Sequence, residues 1–187
     1  MEEDNIEPSI DRYLIFIDFF SKHMSVDFAD YYYIMALEKG LKPTFILNNI
    51  MINLYVKIGR ITGATNLFKS TINLFNFIEG NNINFHGFSH GAAYIATCIF
   101  INSIWKKSPF YEKPFTLITG KGLNNRSTPP YGMQNFLLPK LQKDFPFIKF
   151  EALKEKGVIE FSKKEVSNPT IGKDFVNYPP LILPSCS

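Results

Sequence analysis

The 187-residue sequence has 45% hydrophobic and 20% charged residues, including 19 Phe, which predicts a packed core and excludes a disordered chain. The formal net charge is +3. Residues 1–80 contain seven Lys/Arg and ten Asp/Glu, a charge of −3, whereas residues 81–187 contain thirteen Lys/Arg and seven Asp/Glu, a charge of +6. A basic half favours polyanion partners. No apolar run long enough to predict a membrane span occurs. The acidic start MEEDNIEP differs from a signal or transit peptide, so we expect a cytoplasmic or nuclear protein. An organellar location stays open if the N-terminus is incomplete.

The first 78 residues contain an internal repeat. Shifting residues 6–33 by 35 positions superimposes apolar residues at helical spacing, for example Ile17 on Ile52. The apolar periodicity predicts two helices in each repeat, at 9–23 and 26–38, then at 44–57 and 62–76. We therefore expect an α-helical repeat segment of about two helix-turn-helix units over residues 1–78.

The pattern changes after residue 78. A short alternating strand at 83–86 leads through Ser89, an expected N-cap, into a helix at 90–106. The stretch FTLITGKG (115–122) reads as a strand that runs into a glycine turn. Further predicted elements are a helix at about 131–143 and a hairpin of strands at 147–153 and 158–162. We expect a small α/β sandwich over residues 79–165 and an irregular tail over 166–187, with ligands at the edge where strands lead into helices.

Residues 36–68, ALEKGLKPTFILNNIMINLYVKIGRITGATNLF, resemble a pentatricopeptide repeat. In that family two positions of each unit face single-stranded RNA and read a base. The resemblance assigns these positions to Asn49 and Glu79 in the second unit and to Leu14 and Thr44 in the first. Leu14 has no polar group to read a base edge, so the first unit departs from the pattern. A short helical array that only packs remains the alternative.

Residues 83–162 resemble the small MutS-related (Smr) domain, through INFHG and LITGKG in that order with a helix between them. The resemblance implies nicking or cleavage of nucleic acid, with His86 and the residue at position 84 implicated. This chain has Asn84 where the family has Asp. An amide cannot act as a general base, and it lacks the charge to orient an imidazolium or hold a divalent cation. An active endonuclease, a non-catalytic binder and a purely structural His86 all stay open. A divalent metal ion is expected only if the chain is catalytic.

The loop TGKGLNNRS (119–127) is the second candidate site. Its glycines let backbone amides approach a phosphate, and its Lys and Arg add positive charge. The candidate nucleic-acid-binding residues are Gly120, Lys121, Gly122, Asn124, Asn125 and Arg126, together with Asn49 of the repeat. A plain strand-to-helix turn is the alternative.

The four-residue spacing of His86 and His90 does not predict zinc, because Gly87 and the preceding strand deny the two rings a common helical face. We predict no metal site from these residues. The sequence as a whole favours a protein that binds nucleic acid, single-stranded RNA before DNA, with an Smr-like domain. The alternative is a non-catalytic adaptor whose helical repeats bind a protein partner. No membrane partner is expected.

Overall fold

The computed structural model describes residues 9–42, 44–103, 114–121 and 132–163. The chain divides into two compact units, one ending at Ile72 and the other beginning at Asn73. The first is helical and the second mixes helices with one sheet, which confirms the fold class at that level. Within these ranges no helix combines the length and apolar character needed to cross a bilayer.

The first unit consists of two helical hairpins. Its helices are α1 (Ile10–Lys22), α2 (Val26–Glu38), α3 (Phe45–Lys57) and α4 (Ile61–Thr71). The starts of α1 and α3, at 10 and 45, differ by 35 residues, and so do the starts of α2 and α4, at 26 and 61. The 35-residue spacing predicted from the sequence therefore recurs in the bounds of the helices.

The core of this unit joins the two hairpins. Tyr13 and Ile17 of α1 form one buried cluster with Leu47, Met51 and Leu54 of α3, and none of the five is more than 2% exposed. Burial of each such side chain stabilises the fold by about 1.5–3 kcal/mol. The apolar stripe of α3 is thus the surface that fixes it against α1.

Helix α4 is shorter than the sequence predicts. It ends at Thr71 rather than near residue 76, because Ile72 adopts an extended backbone with φ −124° and ψ 119°. The side chain of Asn73 then accepts a hydrogen bond from the amide of Phe75 (3.1 Å), which starts a 3-10 helix over Leu74–Phe77. Local capping by Asn73 thus outweighs the helical periodicity that continued through this stretch.

In its described residues the second unit has a five-stranded sheet and two α-helices. Its elements are β1 (Ile78–Glu79), β2 (Asn82–Asn84), α5 (His90–Ser103), β3 (Phe115–Ile118), α6 (Gly132–Asp144), β4 (Ile148–Leu153) and β5 (Val158–Lys163). The strand order is β1-β2-β3-β5-β4, with β2 and β3 parallel and the other neighbours antiparallel. The strands, helices and closing hairpin agree with the prediction within a few residues, except for β1, which is too short to show a pattern. The predicted N-cap is also confirmed, since Ser89 Oγ accepts from the amide of Ala92 (3.2 Å).

Strand register gathers three chain segments at one edge of this sheet. Asn84, the last residue of β2, pairs with Ile118, the last residue of β3, and Ile118 pairs with Val158, the first residue of β5. We call this end of the three strands the strand-end edge. The loops that leave β2 and β3 and the turn that enters β5 therefore meet there.

Phenylalanines form the core at the opposite end of these strands, where Phe115 pairs with Phe161. The rings of Phe100 on α5 and Phe115 on β3 lie 4.9 Å apart, and Phe161 on β5 contacts Phe115 at 5.9 Å and Phe150 on β4 at 5.7 Å. Helix α6 packs on β4 and β5 and also contacts α5. This aromatic packing joins three strands to a helix.

Candidate functional site

The strand-end edge brings the two sequence motifs together. His86 follows β2, and Gly120 follows β3, so both lie at the carboxyl ends of parallel neighbours. A methyl group placed on Gly120 would lie 3.8 Å from Nε2 of His86, in ordinary van der Waals contact. Residues 34 positions apart (86 to 120) thus form one surface, with His86 exposed and Gly120 half-buried.

Asn84 determines how the His86 ring is oriented. Its Oδ1 lies 3.0 Å from the backbone nitrogen of His86 and 2.7 Å from ring Nδ1. A backbone N–H only donates, so the side-chain atom that it contacts must be the amide oxygen, which only accepts. Nδ1 must therefore carry a proton, because the same oxygen accepts from it. A neutral His86 then presents an unprotonated Nε2 on the side of Gly120.

Asn84 orients the ring without a negative charge. Its neutral amide oxygen contacts both the backbone amide and Nδ1 of His86. The sequence argument concerned the charge needed to orient an imidazolium, and that argument stays a prediction. Catalytic histidines held by an asparagine occur in Cys-His-Asn proteases, so a carboxylate is not required for this role. The sequence did not reveal the arrangement because it depends on the backbone turn through Phe85.

The glycine loop is anchored to the turn before β5. Thr119 donates two hydrogen bonds to the carbonyl of Gly157, from its amide (3.0 Å) and from its hydroxyl (2.8 Å). A Cβ on Gly157 would lie 2.8 Å from the carbonyl carbon of Gly120 and 3.0 Å from the nitrogen of Lys121. Gly157 also has φ +69°, a conformation that glycine adopts without strain. Only glycine therefore fits where the two loops touch.

Thr119 and Gly157 are site-forming residues that sequence reasoning did not assign. The Lys-Gly turn of the closing hairpin was visible in the sequence, where it predicted a turn and fitted the Smr resemblance, but it was not assigned to the site. A glycine between two strands signals a positive φ, yet nothing local shows which other loop it approaches.

Exposed lysines lie beside the described start of the loop. Lys121 is exposed, and exposed Lys154 and Lys156 belong to the 3-10 helix that leads into Gly157, with Glu155 as the acid between them. Because Gly157 touches the loop at Lys121, this turn brings its charges to the strand-end edge. Exposed lysines beside a glycine loop are suited to a phosphate group.

Gln134 supports the edge from the first turn of α6. The side chain is 1% exposed, and its Nε2 donates to the carbonyl of Val158 at 3.2 Å. Its buried Oε1 receives no hydrogen bond from any residue in the described ranges. Gln134 therefore fixes the start of β5, beside Gly157, to α6.

The remaining predicted site residues are either outside the described ranges or in helices and strands away from the strand-end edge. Gly122, Asn124, Asn125 and Arg126 fall outside the described residues. Asn49 is 9% exposed within α3, so its base-reading role stays a prediction that burial does not favour. The other assigned repeat positions are Leu14, Thr44 and Glu79. Leu14 is half-buried against the core, and Glu79 lies exposed in β1. The hydroxyl of Thr44 accepts a hydrogen bond from the amide of Leu47 (3.2 Å) and so caps α3.

The second histidine of the motif is separate from the first. His90 begins α5, where its ring stacks on Phe136 of α6 at 5.2 Å. Among the described residues, no group of three or more His, Cys, Asp or Glu side chains is placed to hold a metal ion.

A polar cluster away from the edge joins α5 to α6. The hydroxyl of Tyr94 donates to Asp144 at 2.6 Å, and the ammonium of Lys140 lies 5.7 Å from the centre of the Tyr94 ring. Burial raises the pKa of Tyr94, and it raises the pKa of the Cys98 thiol to about 12. The Tyr94 hydroxyl and the Cys98 thiol therefore stay protonated near neutral pH.

No protein-family model matches this sequence, and a search of curated proteins returns no significant match. The two family resemblances therefore rest on the quoted motifs.

Proposed function

We propose that this chain binds single-stranded RNA, with a backbone phosphate held at the strand-end edge by Gly120, Lys121 and the Gly157 turn. The preference for RNA over DNA comes from the resemblance of the first unit to an RNA-binding repeat. The observation that carries the proposal is the approach of His86 Nε2 to Gly120, in a ring whose Nδ1 is tied to Asn84. A proton acceptor beside a glycine loop is what a phosphodiester site needs, whereas a plain strand-to-helix turn needs no such group.

His86 would move a proton at the bound phosphodiester. Unprotonated Nε2 takes the proton of an attacking hydroxyl, either the ribose 2′-OH or water, as the new P–O bond forms. The opposite P–O bond breaks, and the protonated Nε2 returns the proton to the leaving oxygen, so atoms and charge balance. Asn84 holds the ring for this step but offers no charge to the imidazolium. We therefore expect slower cleavage than a carboxylate at this position would give.

Binding is tested by fluorescence anisotropy on matched labelled RNA and DNA single strands, titrated with salt. We expect Lys121→Ala to weaken binding by about fivefold and to lower the slope of log affinity against log salt by about one. The matched control is Lys149→Ala, an exposed lysine of β4 paired with Glu151 at 3.4 Å, which should leave both unchanged. Equal losses in the two variants would reject a specific phosphate site.

Cleavage is tested on the same RNA with product sizing, with magnesium and with a chelator. His86→Ala should abolish cleavage and retain binding, whereas His90→Ala, which alters the ring stacked on Phe136, should cleave normally. Asn84→Asp keeps an acceptor for Nδ1 and should raise the rate, while Asn84→Ala should lower it by about tenfold or more. Intact binding without cleavage in the wild type would reduce the function to nucleic-acid binding.

A second candidate, a protein-interaction adaptor, is supported by the exposed apolar residues of the first hairpin, among them Phe19 and Ile34 at 52% each. Salt separates the two candidates. Phosphate binding weakens steeply between about 50 and 200 mM salt, and an apolar protein interface does not. The absence of RNA binding at low salt would leave the adaptor as the function.

A further inference from the structure

The first hairpin exposes large aromatic and aliphatic side chains on both of its helices. On α1, Ile15, Phe16 and Phe19 are 66%, 43% and 52% exposed, and on α2, Phe28 and Tyr31 are 59% and 56% exposed. We call the first three residues the α1 face. Large apolar side chains that cluster in this way indicate an interaction surface rather than scattered surface apolars.

Ring contacts join the exposed residues of the two helices. Phe16 stacks on Tyr32 at 4.9 Å, Tyr32 on Phe20 at 5.5 Å, and Phe20 on Phe28 at 5.1 Å, with interplanar angles of 20° or less. Tyr31 meets the edge of Tyr32 at 5.3 Å. The aromatic residues therefore form one continuous surface of fixed rings, and a partner orders few of these side chains when it binds.

A carboxylate lies at the α2 side of this surface. Asp27, Phe28 and Tyr31 line a shallow depression whose lining is mainly apolar. Asp27 and Tyr31 are four residues apart on α2, so the carboxyl group and the phenol ring lie one helical turn apart on the same side of the helix. We call these three residues the Asp27 depression.

The charge of Asp27 restricts what can cover the depression. Among the described residues no cation pairs with Asp27, since Lys22 pairs with Asp18 at 2.6 Å and Arg60 pairs with Asp30 at 3.1 Å. The carboxylate repels a phosphate. A neutral apolar partner would cover the carboxylate without a counter-ion, which is unfavourable. The complementary partner therefore brings a positive charge.

We propose that the Asp27 depression binds an arginine side chain of a protein segment whose neighbouring apolar residues cover the α1 face. The planar guanidinium can donate two parallel hydrogen bonds to the carboxylate of Asp27 while its flat side lies on the ring of Phe28 or Tyr31. These residues belong to the first unit and the strand-end edge to the second, so this binding is an activity beyond RNA binding.

The contacts set the expected strength of binding. An exposed ion pair and a cation–π contact each change affinity by only about threefold to fivefold. With a few apolar side chains on a small area, they predict a dissociation constant of about 0.1–1 mM for a short peptide. Removal of the positive charge from the peptide should weaken binding by about tenfold, because both contacts are lost.

NMR titration of the isotope-labelled full chain tests the proposal with two heptapeptides. One has arginine at its centre with leucine and phenylalanine on either side, and the other has citrulline in place of arginine. Citrulline keeps the shape of the side chain and removes its charge. The arginine peptide should bind about tenfold more tightly, and the amide signals that shift should centre on Phe28 and Tyr31.

Substitutions separate the carboxylate and the rings. Asp27→Asn should weaken binding of the arginine peptide about fivefold and leave the citrulline peptide unchanged. Tyr31→Leu keeps an apolar side chain, removes a ring face and should weaken binding of the arginine peptide about threefold. Circular dichroism establishes that each variant is folded.

Asp11→Asn is the matched control for Asp27→Asn. Asp11 and Asp27 are both exposed, and each is the second residue of its helix, so the two changes remove the same favourable charge from a helix N-terminus. The two helices of a hairpin run in opposite directions, which places Asp11 at the other end from the Asp27 depression. Asp11→Asn should bind both peptides as the wild type does.

Four outcomes would overturn the proposal. They are no binding of the arginine peptide at about 5 mM, equal affinity for the two peptides, an arginine preference that persists in Asp27→Asn, and an equal loss in Asp11→Asn. None of these measurements involves nucleic acid, so this proposal and RNA binding at the strand-end edge stand or fall separately.

Discussion

The α1 face and the strand-end edge are both exposed, but they offer opposite chemistry. The α1 face, formed by Ile15, Phe16 and Phe19, consists of exposed apolar side chains next to stacked rings, and Lys22 of the same helix pairs with Asp18. The strand-end edge consists of an oriented imidazole, glycine backbone and exposed lysines. The first suits a partner bound through loss of water from apolar surface, and the second suits a phosphate. An exposed surface thus shows its function only when its charges and hydrogen bonds are counted.

The largest expected effect tests how tightly the strand-end edge is built. Gly157→Ala should lower the free energy of unfolding of the second unit by about 3 kcal/mol, because the new Cβ meets backbone atoms of Gly120 and Lys121 and the φ is positive. Gly80→Ala shares a positive φ of +57° but has open space around it, so it should cost only about 1 kcal/mol. Urea unfolding measures both. An equal loss of unfolding free energy in the two variants would mean that the contact between the two loops does not stabilise the second unit.

The next largest change in unfolding free energy is expected in the helical unit, where a buried hydrogen bond joins Tyr33 to Asn48. The hydroxyl of Tyr33 donates to buried Asn48 at 2.8 Å, so Tyr33→Phe leaves a buried acceptor unpaired and should cost about 1–2 kcal/mol. The double variant Y33F/N48L removes both partners and should recover part of that loss. A double-mutant cycle by urea unfolding gives the coupling, and strict additivity of the two changes would refute it.

At alkaline pH the stability of the second unit should begin to fall before that of the first. In the second unit burial raises the pKa of Cys98 from 9.0 to about 12, so between these values the unfolded thiol loses its proton and the folded one keeps it. Stability is therefore full below pH 9 and falls above it, by about 1 kcal/mol at pH 10 from this thiol. Burial also raises the pKa of Tyr33 and Tyr55 in the first unit, but from 10.0, so their contribution is lost later.

The measurement is urea unfolding at pH 8 to 11, followed by circular dichroism. Cys98→Ala should flatten the profile between pH 9 and 10 and leave the later decline in place. A profile unchanged by this substitution would show that the thiol is not protected by the fold.

The smallest effect is expected from a surface ion pair. Lys149 and Glu151 lie 3.4 Å apart on β4 with side chains 65% and 58% exposed. Lys149→Ala should change the free energy of unfolding by less than about 0.5 kcal/mol, since water and salt screen exposed pairs. A larger loss in thermal unfolding would disqualify this variant as the control for Lys121→Ala.

Much of the fold was predictable because its signals are local. The helix pairs and their 35-residue spacing follow from apolar periodicity, and the closing hairpin follows from alternating strands around a glycine turn. The prediction failed at the end of α4, where the cap at Asn73 overrides a pattern that continues to Phe75. It also missed β1, since two residues show no period.

The candidate site was predictable only in part. The sequence named His86 and Gly120 as separate candidates, and parallel strand order explained why they could meet. It did not indicate that Gly157 contacts the glycine loop at Gly120 and Lys121, or that Asn84 fixes the proton on Nδ1 of His86. Both features depend on distances between backbone segments that no local pattern records.

The sequence by itself determined where helices, strands and turns form, because those choices depend on neighbours within a few residues. Tertiary structure decided which equivalent positions are buried. Met51 and Phe16 stand 35 residues apart at the same place in a repeated pattern, yet one is 0% exposed and the other 43%. The difference arises because burial depends on whether another segment packs against a helix face, and the periodicity of that helix is the same in either case.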